Sequence, residues 1–350
     1  MADNQRLIVS TLTDDEGIFV YRIADADGRL EQVAQTARFI SNPFYIDLHP
    51  NGNVLYAITD PGGERLVSAL SLDRTSGEMT LMNQQPTGGG FPCYVAAEAS
   101  GRAAVVANYE GGSVSCFPLN ADGTLAEAGS FVQHVGCSID ESRQKEPHAH
   151  CFSISADGRF AFAADLGTDQ VMIYALDAAK GTLTPGEQPF ARVLAGGGPR
   201  HFTISPDNRH GYVCNEMGNT VTAFKYDAER GLLLEQSMVP TLPTDFDDTT
   251  HTADVVVTPD GRFVYCTNRG HNSLAMYTRD ADTGALEPNG FEPSRGVMPQ
   301  NITITPDSKL LFIANTKGDN VVAFHINGGT GKLEYSCETK MPAPVCGVLG

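Results

Sequence analysis

Arg200 and Arg269 each stand at the edge of a short apolar run, in a chain whose 24 basic and 42 acidic residues leave a formal charge of -18. A guanidinium offers rigid paired donors that match a carboxylate or a phosphate. Two of them aimed at one cavity would therefore hold an anionic ligand. His148 follows the rigid Pro147, and a neutral imidazole can take a proton from water and return it to a leaving oxygen. His150 has the same strand parity as His148, so it either shares that role or packs beneath it. Glu216 has three open roles: orienting His148, acting as a base, or holding Arg200. Beside two arginines its charged form is favoured, which suits an orienting group or weak base better than a proton donor. His201 has opposite parity from Arg200, so strict alternation admits only one of them fully to a cavity, and we expect Arg200.

These residues meet only if the fold gathers them, and the sequence predicts how. Residues 199–227 read as three short antiparallel strands, because period-two apolar runs bounded by Pro, Asp, Asn and Gly match hairpins rather than a helix. The unit recurs. Aligning the last small residue of each second strand gives Ser10, Thr59, Asn108, Asp165, Asn215, Asn268 and Asn315, separated by 49, 49, 57, 50, 53 and 47 residues. That period fits one four-stranded propeller blade. Each repeat also carries a GxL-type turn before a weaker fourth strand, as at Gly231-Leu232-Leu233 and Gly331-Lys332-Leu333. The amino-terminal repeat lacks its first strand, and residues 342–350 open like one and then stop. The expectation is an all-β, seven-bladed propeller formed by residues 1–350 as one domain, its ring closed by the carboxyl-terminal strand joining the amino-terminal blade.

In such a ring the start of strand one and the end of strand two lie at the same mouth. That rule adds His150, His201, Asp254 and Asn301 from strand starts as ligand-contact candidates. From strand ends it adds Asn108, Asp165, Asn215, Asn268 and His271. Pro-Asp turns at Asp157, Asp207 and Asp260 fall on the opposite face and read as architectural. The longest departure from the period, at 129–147, adds residues before a first strand.

A field of this sign repels a phosphate backbone, so neither nucleic acid nor an anionic membrane is an expected partner. No apolar stretch of membrane-spanning length and no leader-like start occurs, which gives an expectation of a cytoplasmic protein. The eight cysteines form no CxxC pair, and several lie inside apolar runs as packing residues. His148-x-His150 with Glu216 or Asp165 is a conceivable ligand set for a metal. There is no HExxH or cysteine cluster, and arginines at the same mouth disfavour a cation, so no metal is expected. The glycine triplets at 88–90 and 196–198 are not followed by GK[ST], so they are not phosphate loops.

The segments PHAHCFSISADGRFAFAADLGTDQVMIY, GPRHFTISPDNRHGYVCNEMGNTVTAF, HTADVVVTPDGRFVYCTNRGHNSLAMY and NITITPDSKLLFIANTKGDNVVAF resemble the seven-bladed propeller lactonases. This family includes propeller-type 6-phosphogluconolactonases and the fungal 3-carboxy-cis,cis-muconate lactonizing enzyme. The resemblance covers nearly the whole chain. It implies a site without cofactors that acts on a small lactone bearing an anionic group, such as 6-phosphogluconolactone, with His148, Arg200, Glu216 and Arg269 as its catalytic set. One departure is Pro299-Gln300-Asn301, where relatives show Pro-Arg before the Asn, so one cationic group is missing. Two alternatives stand beside hydrolysis. One is a lactonizing cycloisomerase acting on a carboxylated muconate. The other is a non-catalytic propeller that presents Phe44, Tyr45, Phe91 and Tyr109 to a protein partner.

Overall fold

A computed structural model describes residues 5–15, 17–36 and 40–350. Among these residues, 28 strands form seven four-stranded antiparallel sheets. We number the blades one to seven in chain order. Blade one takes its innermost strand, Pro344–Leu349, from the carboxyl-terminal end of the chain, and this pairs antiparallel with Arg6–Thr11. The innermost strands of the other blades are Ile46–Leu48, Pro92–Ala97, Ala149–Ile154, Pro199–Ile204, His251–Val257 and Pro299–Ile304. Each touches its neighbours in ring order, and Pro344–Leu349 sits between blades seven and two, so the circle closes as expected.

The second strands explain why the sheets stack. Val54–Thr59, Ala103–Asn108 and Leu310–Asn315 are buried at every position, because both faces of a blade are covered by other blades. The core accordingly divides into seven apolar clusters, one between each pair of adjacent blades. Phe162 of blade four meeting Phe202 and Phe224 of blade five is an example. Complete burial of one such ring contributes roughly 1.5–3 kcal/mol. The outermost strands are largely exposed, as in Leu286–Pro293.

The GxL turns interlock successive blades. At Gly231 (φ +73°) a Cβ would lie 2.4 Å from the Phe160 ring of the preceding blade, so the position requires glycine for space as well as for backbone. Tyr212 and Tyr265 add hydroxyl hydrogen bonds to the carbonyls of Gly284 and Gly331 in the next blade, at 2.9 Å each.

Blade three departs from the expected layout. Its Gly123-Thr124-Leu125 turn leads only to an isolated bridge, Leu119 to Leu125, and the fourth strand is Ser130–Gln133. Asn83 of blade two takes both backbone groups of Leu125, at 2.7 and 3.0 Å, which leaves that stretch unavailable to its own sheet. The added residues at 129–147 therefore begin as a strand, and only from His134 onward form a loop.

Candidate active site

The inner strands do not keep strict alternation at their starts. In blade five, Pro199 pairs with Asn215 and then Phe202 pairs with Val213, so three steps on one strand oppose two on the other. Comparable shifts occur at Pro92/Tyr94, Ala149/Cys151, Thr252/Val255 and Pro299/Asn301. A bulge inserts one residue and re-aims the side chains beside it. The parity expectation for Arg200 and His201 fails for this reason. Both are buried, at 2% and 4% exposure, and Arg200 Nη1 lies 3.2 Å from His201 Nε2.

Glu216 is the centre of the mouth. Its Oε2 lies 2.7 Å from Arg269 Nη2 and 3.0 Å from Arg200 Nε, and its Oε1 lies 2.9 Å from Arg143 Nη2. Three guanidiniums around one carboxylate leave two positive charges uncompensated within this group. Burial alone would raise the Glu216 pKa; the charges of Arg269 and Arg200 and the hydrogen bond from Arg143 overcome it and hold the carboxyl well below the usual range. Arg269 is pushed below the ordinary arginine value by burial and by the Arg200 charge. The expectation that Arg200 itself faces a ligand needs correction: Arg200 is buried beneath Glu216. Arg143 and Arg269 are the more exposed members, their side chains 36% and 15% accessible. Arg143 escaped the sequence reading. Its signal was the long loop after blade three, since extra length at a propeller mouth is where function is carried.

His148 lies beside this group through Tyr109. The two rings stack at 4.6 Å, and the Tyr109 hydroxyl accepts a hydrogen bond from Arg143 Nη2 at 2.9 Å. His148 Nδ1 is 3.1 Å from the Tyr109 carbonyl oxygen. A carbonyl only accepts, so Nδ1 carries the hydrogen and Nε2 keeps its lone pair. The orienting contact from Glu216 is not formed, because the carboxylate oxygens are engaged by arginines and Tyr109 fixes the tautomer instead. Asp165 Oδ1 accepts the His148 backbone N–H at 2.9 Å, and its Oδ2 meets His134 Nδ1 at 2.6 Å. Asp165 thus anchors the segment rather than facing a ligand.

His150 packs under Tyr109, with Cys93 Sγ 3.8 Å from its Nδ1. The pair has the elements of a thiolate nucleophile and lacks the charge. Burial pushes the Cys93 thiol far up, and burial with the Arg200 charge pushes His150 well down, so both stay neutral. His201 donates from Nδ1 to Asp254 Oδ1 at 2.8 Å, and Asp254 Oδ2 accepts from Asn301 Nδ2 at 2.9 Å and from the Ile302 N–H at 2.8 Å. These three residues line a separate cavity of about 460 Å³, which opens past Ala156, Pro206 and Asn208 at the opposite face. Arg200 and His201 stand between that channel and the mouth.

Four strand-end candidates are not brought to the mouth. Asn108, Asn215 and Asn268 are fully buried, and their amides bond hydroxyls or carbonyls within their own blade or the strand preceding it. His271 packs between Phe246 and Phe291 and bonds Ser273 Oγ at 2.6 Å. Phe44 meets Phe91 edge-on at 5.6 Å, while Tyr45 stacks on Tyr94 at 4.2 Å along the channel rather than at the rim.

Residues 6–349 match the family described as lactonase, 7-bladed beta-propeller. The 6-phosphogluconolactonase of Bacillus subtilis (strain 168) is 33% identical over 333 residues, spanning 95% of this chain and 93% of its own. A solved structure from Bacteroides fragilis superposes with a TM-score of 0.92 at 30% identity, covering 100% of this chain and 99% of its own. The periplasmic gluconolactonase of Pseudomonas aeruginosa superposes with a TM-score of 0.92 at 27% identity, covering 99% and 98%. With a closed ring of seven blades and a match over almost its whole length, the chain belongs to the seven-bladed β-propeller lactonase family.

Proposed function

We propose that this protein hydrolyses a lactone that carries an anionic group, without a cofactor. The observation that carries the reading is the mouth itself: an imidazole with a free Nε2 beside three guanidiniums that share one carboxylate. His148 Nε2 takes a proton from water as the water oxygen bonds to the lactone carbonyl carbon. The charge that develops on the carbonyl oxygen is stabilised by Arg143 or Arg269, preorganised donors at the more exposed part of the group. As the ring C–O bond breaks, the imidazolium returns its proton to the ring oxygen, giving a hydroxy acid. Glu216 stays ionised and holds the guanidiniums in place around it, and Arg200 supports Glu216 from below. Relatives named 6-phosphogluconolactonase and gluconolactonase support a sugar-acid lactone as substrate.

The test is acid release from a panel of 6-phosphogluconolactone, unphosphorylated gluconolactone and a carboxymuconolactone, with carboxymuconate supplied for the reverse direction. His148→Ala is expected to lower kcat by about 10²–10⁴-fold, the usual contribution of a positioned general base, with an unchanged thermal midpoint. Turnover at the parental rate by the variant would remove His148 from the chemistry. Closure of carboxymuconate with no lactone hydrolysis would replace this reading by the cycloisomerase.

A further inference from the structure

Beside the arginine group lies a second opening on the same mouth, between blades six and seven. It is a cavity of about 280 Å³, room for roughly nine waters at ~30 Å³ each, lined by His251, Arg269, Asn272, Val297, Met298 and Lys317. Its polar groups are one-sided in charge: two cations and an imidazole, with no carboxylate among the lining residues. Arg269 uses Nη2 on Glu216 and the Thr252 carbonyl and Nε on the His251 carbonyl, which leaves Nη1 with no acceptor among the described residues. Lys317 is exposed and forms no ion pair among the described residues. His251 has no side-chain partner there either, its Nδ1 being buried and unsatisfied. The wall is held in a costly backbone state: Met298 has φ +64°, and Asn272 Oδ1 accepts its N–H at 2.9 Å.

We infer that this cavity is the subsite for the exocyclic anion of the substrate, a phosphate monoester or a carboxylate, with Arg269 Nη1 and Lys317 Nζ as its donors. The inference rests on the lactonase reading, and it gives Arg269 two duties. Nη2 is tied to Glu216 and the reacting end, while Nη1 faces the substituent, so one planar group spans both. It also supplies a cation close to the place where Gln300 lacks one, since Lys317 follows the second strand of the same blade that Gln300 opens. An anion at this point relieves the crowding of positive charge around Glu216, which no neutral substituent does.

The experiment compares the parent with Lys317→Met, a change at an exposed position whose thermal midpoint is expected to stay put. The ratio of kcat/KM for 6-phosphogluconolactone to that for gluconolactone should fall about tenfold, as should the affinity for inorganic phosphate measured as a competitive inhibitor. If the ratio falls only for a carboxylated lactone against its uncharged analogue, the subsite stands with carboxylate as its occupant. If neither ratio moves, the subsite is wrong even though the lactonase reading survives. Should the parent turn over no lactone at all, the lactonase reading fails by itself. Calorimetry with inorganic phosphate then decides the subsite: binding weakened in Lys317→Met supports it, and no binding by the parent, or equal binding by both, overturns it.

Discussion

The two faces of the ring use the same residue types in opposite ways. On the turn face three of the turn acids have a base two residues away: Asp157 with Arg159 at 2.7 Å, Asp260 with Arg262 at 2.7 Å, Asp307 with Lys309 at 3.6 Å. The same aspartates also accept from Ser155, Thr258 and Thr305 hydroxyls, so these three turns are satisfied within themselves. At the mouth, by contrast, three arginines from distant parts of the chain share one glutamate, and two of the four groups are nearly inaccessible. Local balance makes a turn; the mouth is left with net positive charge, assembled from the loop before blade four and from blades five and six. The difference has energetic consequences that substitution can measure.

The largest effect is expected from Glu216→Gln. Removing one partner of a buried ion group leaves its cations uncompensated and costs about 3–5 kcal/mol, read as the loss of unfolding free energy in urea at pH 7. The Glu216 pKa is depressed in the folded state, so its stabilisation is complete above the ordinary value of 4.5 and is lost as pH falls through the folded value. The gap between parent and variant should therefore narrow as the pH drops below 4.5. A variant as stable as the parent would place the mouth on the same footing as the turns.

A middle effect is expected at Asp47, which lines the channel from the turn face. Burial raises its pKa from 3.8 to about 6, against hydrogen bonds from the Ala97 and Leu48 N–H groups, and no arginine offsets it. Its sign is the reverse of Glu216: the favourable protonated form is fully present below 3.8, and stability is lost as pH rises through about 6. That loss is about 1–3 kcal/mol at ~1.4 kcal/mol per pKa unit, reduced by water in the channel. Asp47→Asn should flatten the pH dependence of the urea midpoint between pH 4 and 7. The smallest effect belongs to Asp260→Asn. A partly exposed pair within one turn is worth about 0–1 kcal/mol, and a thermal midpoint lowered by much more would contradict the contrast drawn between the faces.

The ring was legible because its signals are repeated. The period of the second-strand ends, the GxL turns and the orphaned strand at 342–350 each state the blade more than once, and Pro344–Leu349 pairs with Arg6–Thr11 as they require. Convergence of Arg200, Glu216 and Arg269 was legible from the same rule. Three things were not. The bulges at strand starts have no sequence mark, so alternation misjudged His201. Asn108, Asn215 and Asn268 look like mouth residues because they end strands, yet an amide there bonds to the neighbouring strand instead. Arg143 comes from a loop outside the repeat, where no period says which way a side chain turns.

Ring closure has a further consequence, in time rather than in space. Ser10 and the Cys346 carbonyl it bonds to are 336 residues apart. A ribosome therefore releases blade one with a naked edge and adds blade after blade before the strand that covers it is made. Contacts of such separation form late and slowly, and an exposed edge invites pairing with another chain. Shortening the chain before Pro344 should consequently harm the nascent protein through aggregation on the way to the native state, at a site remote in sequence from the cut.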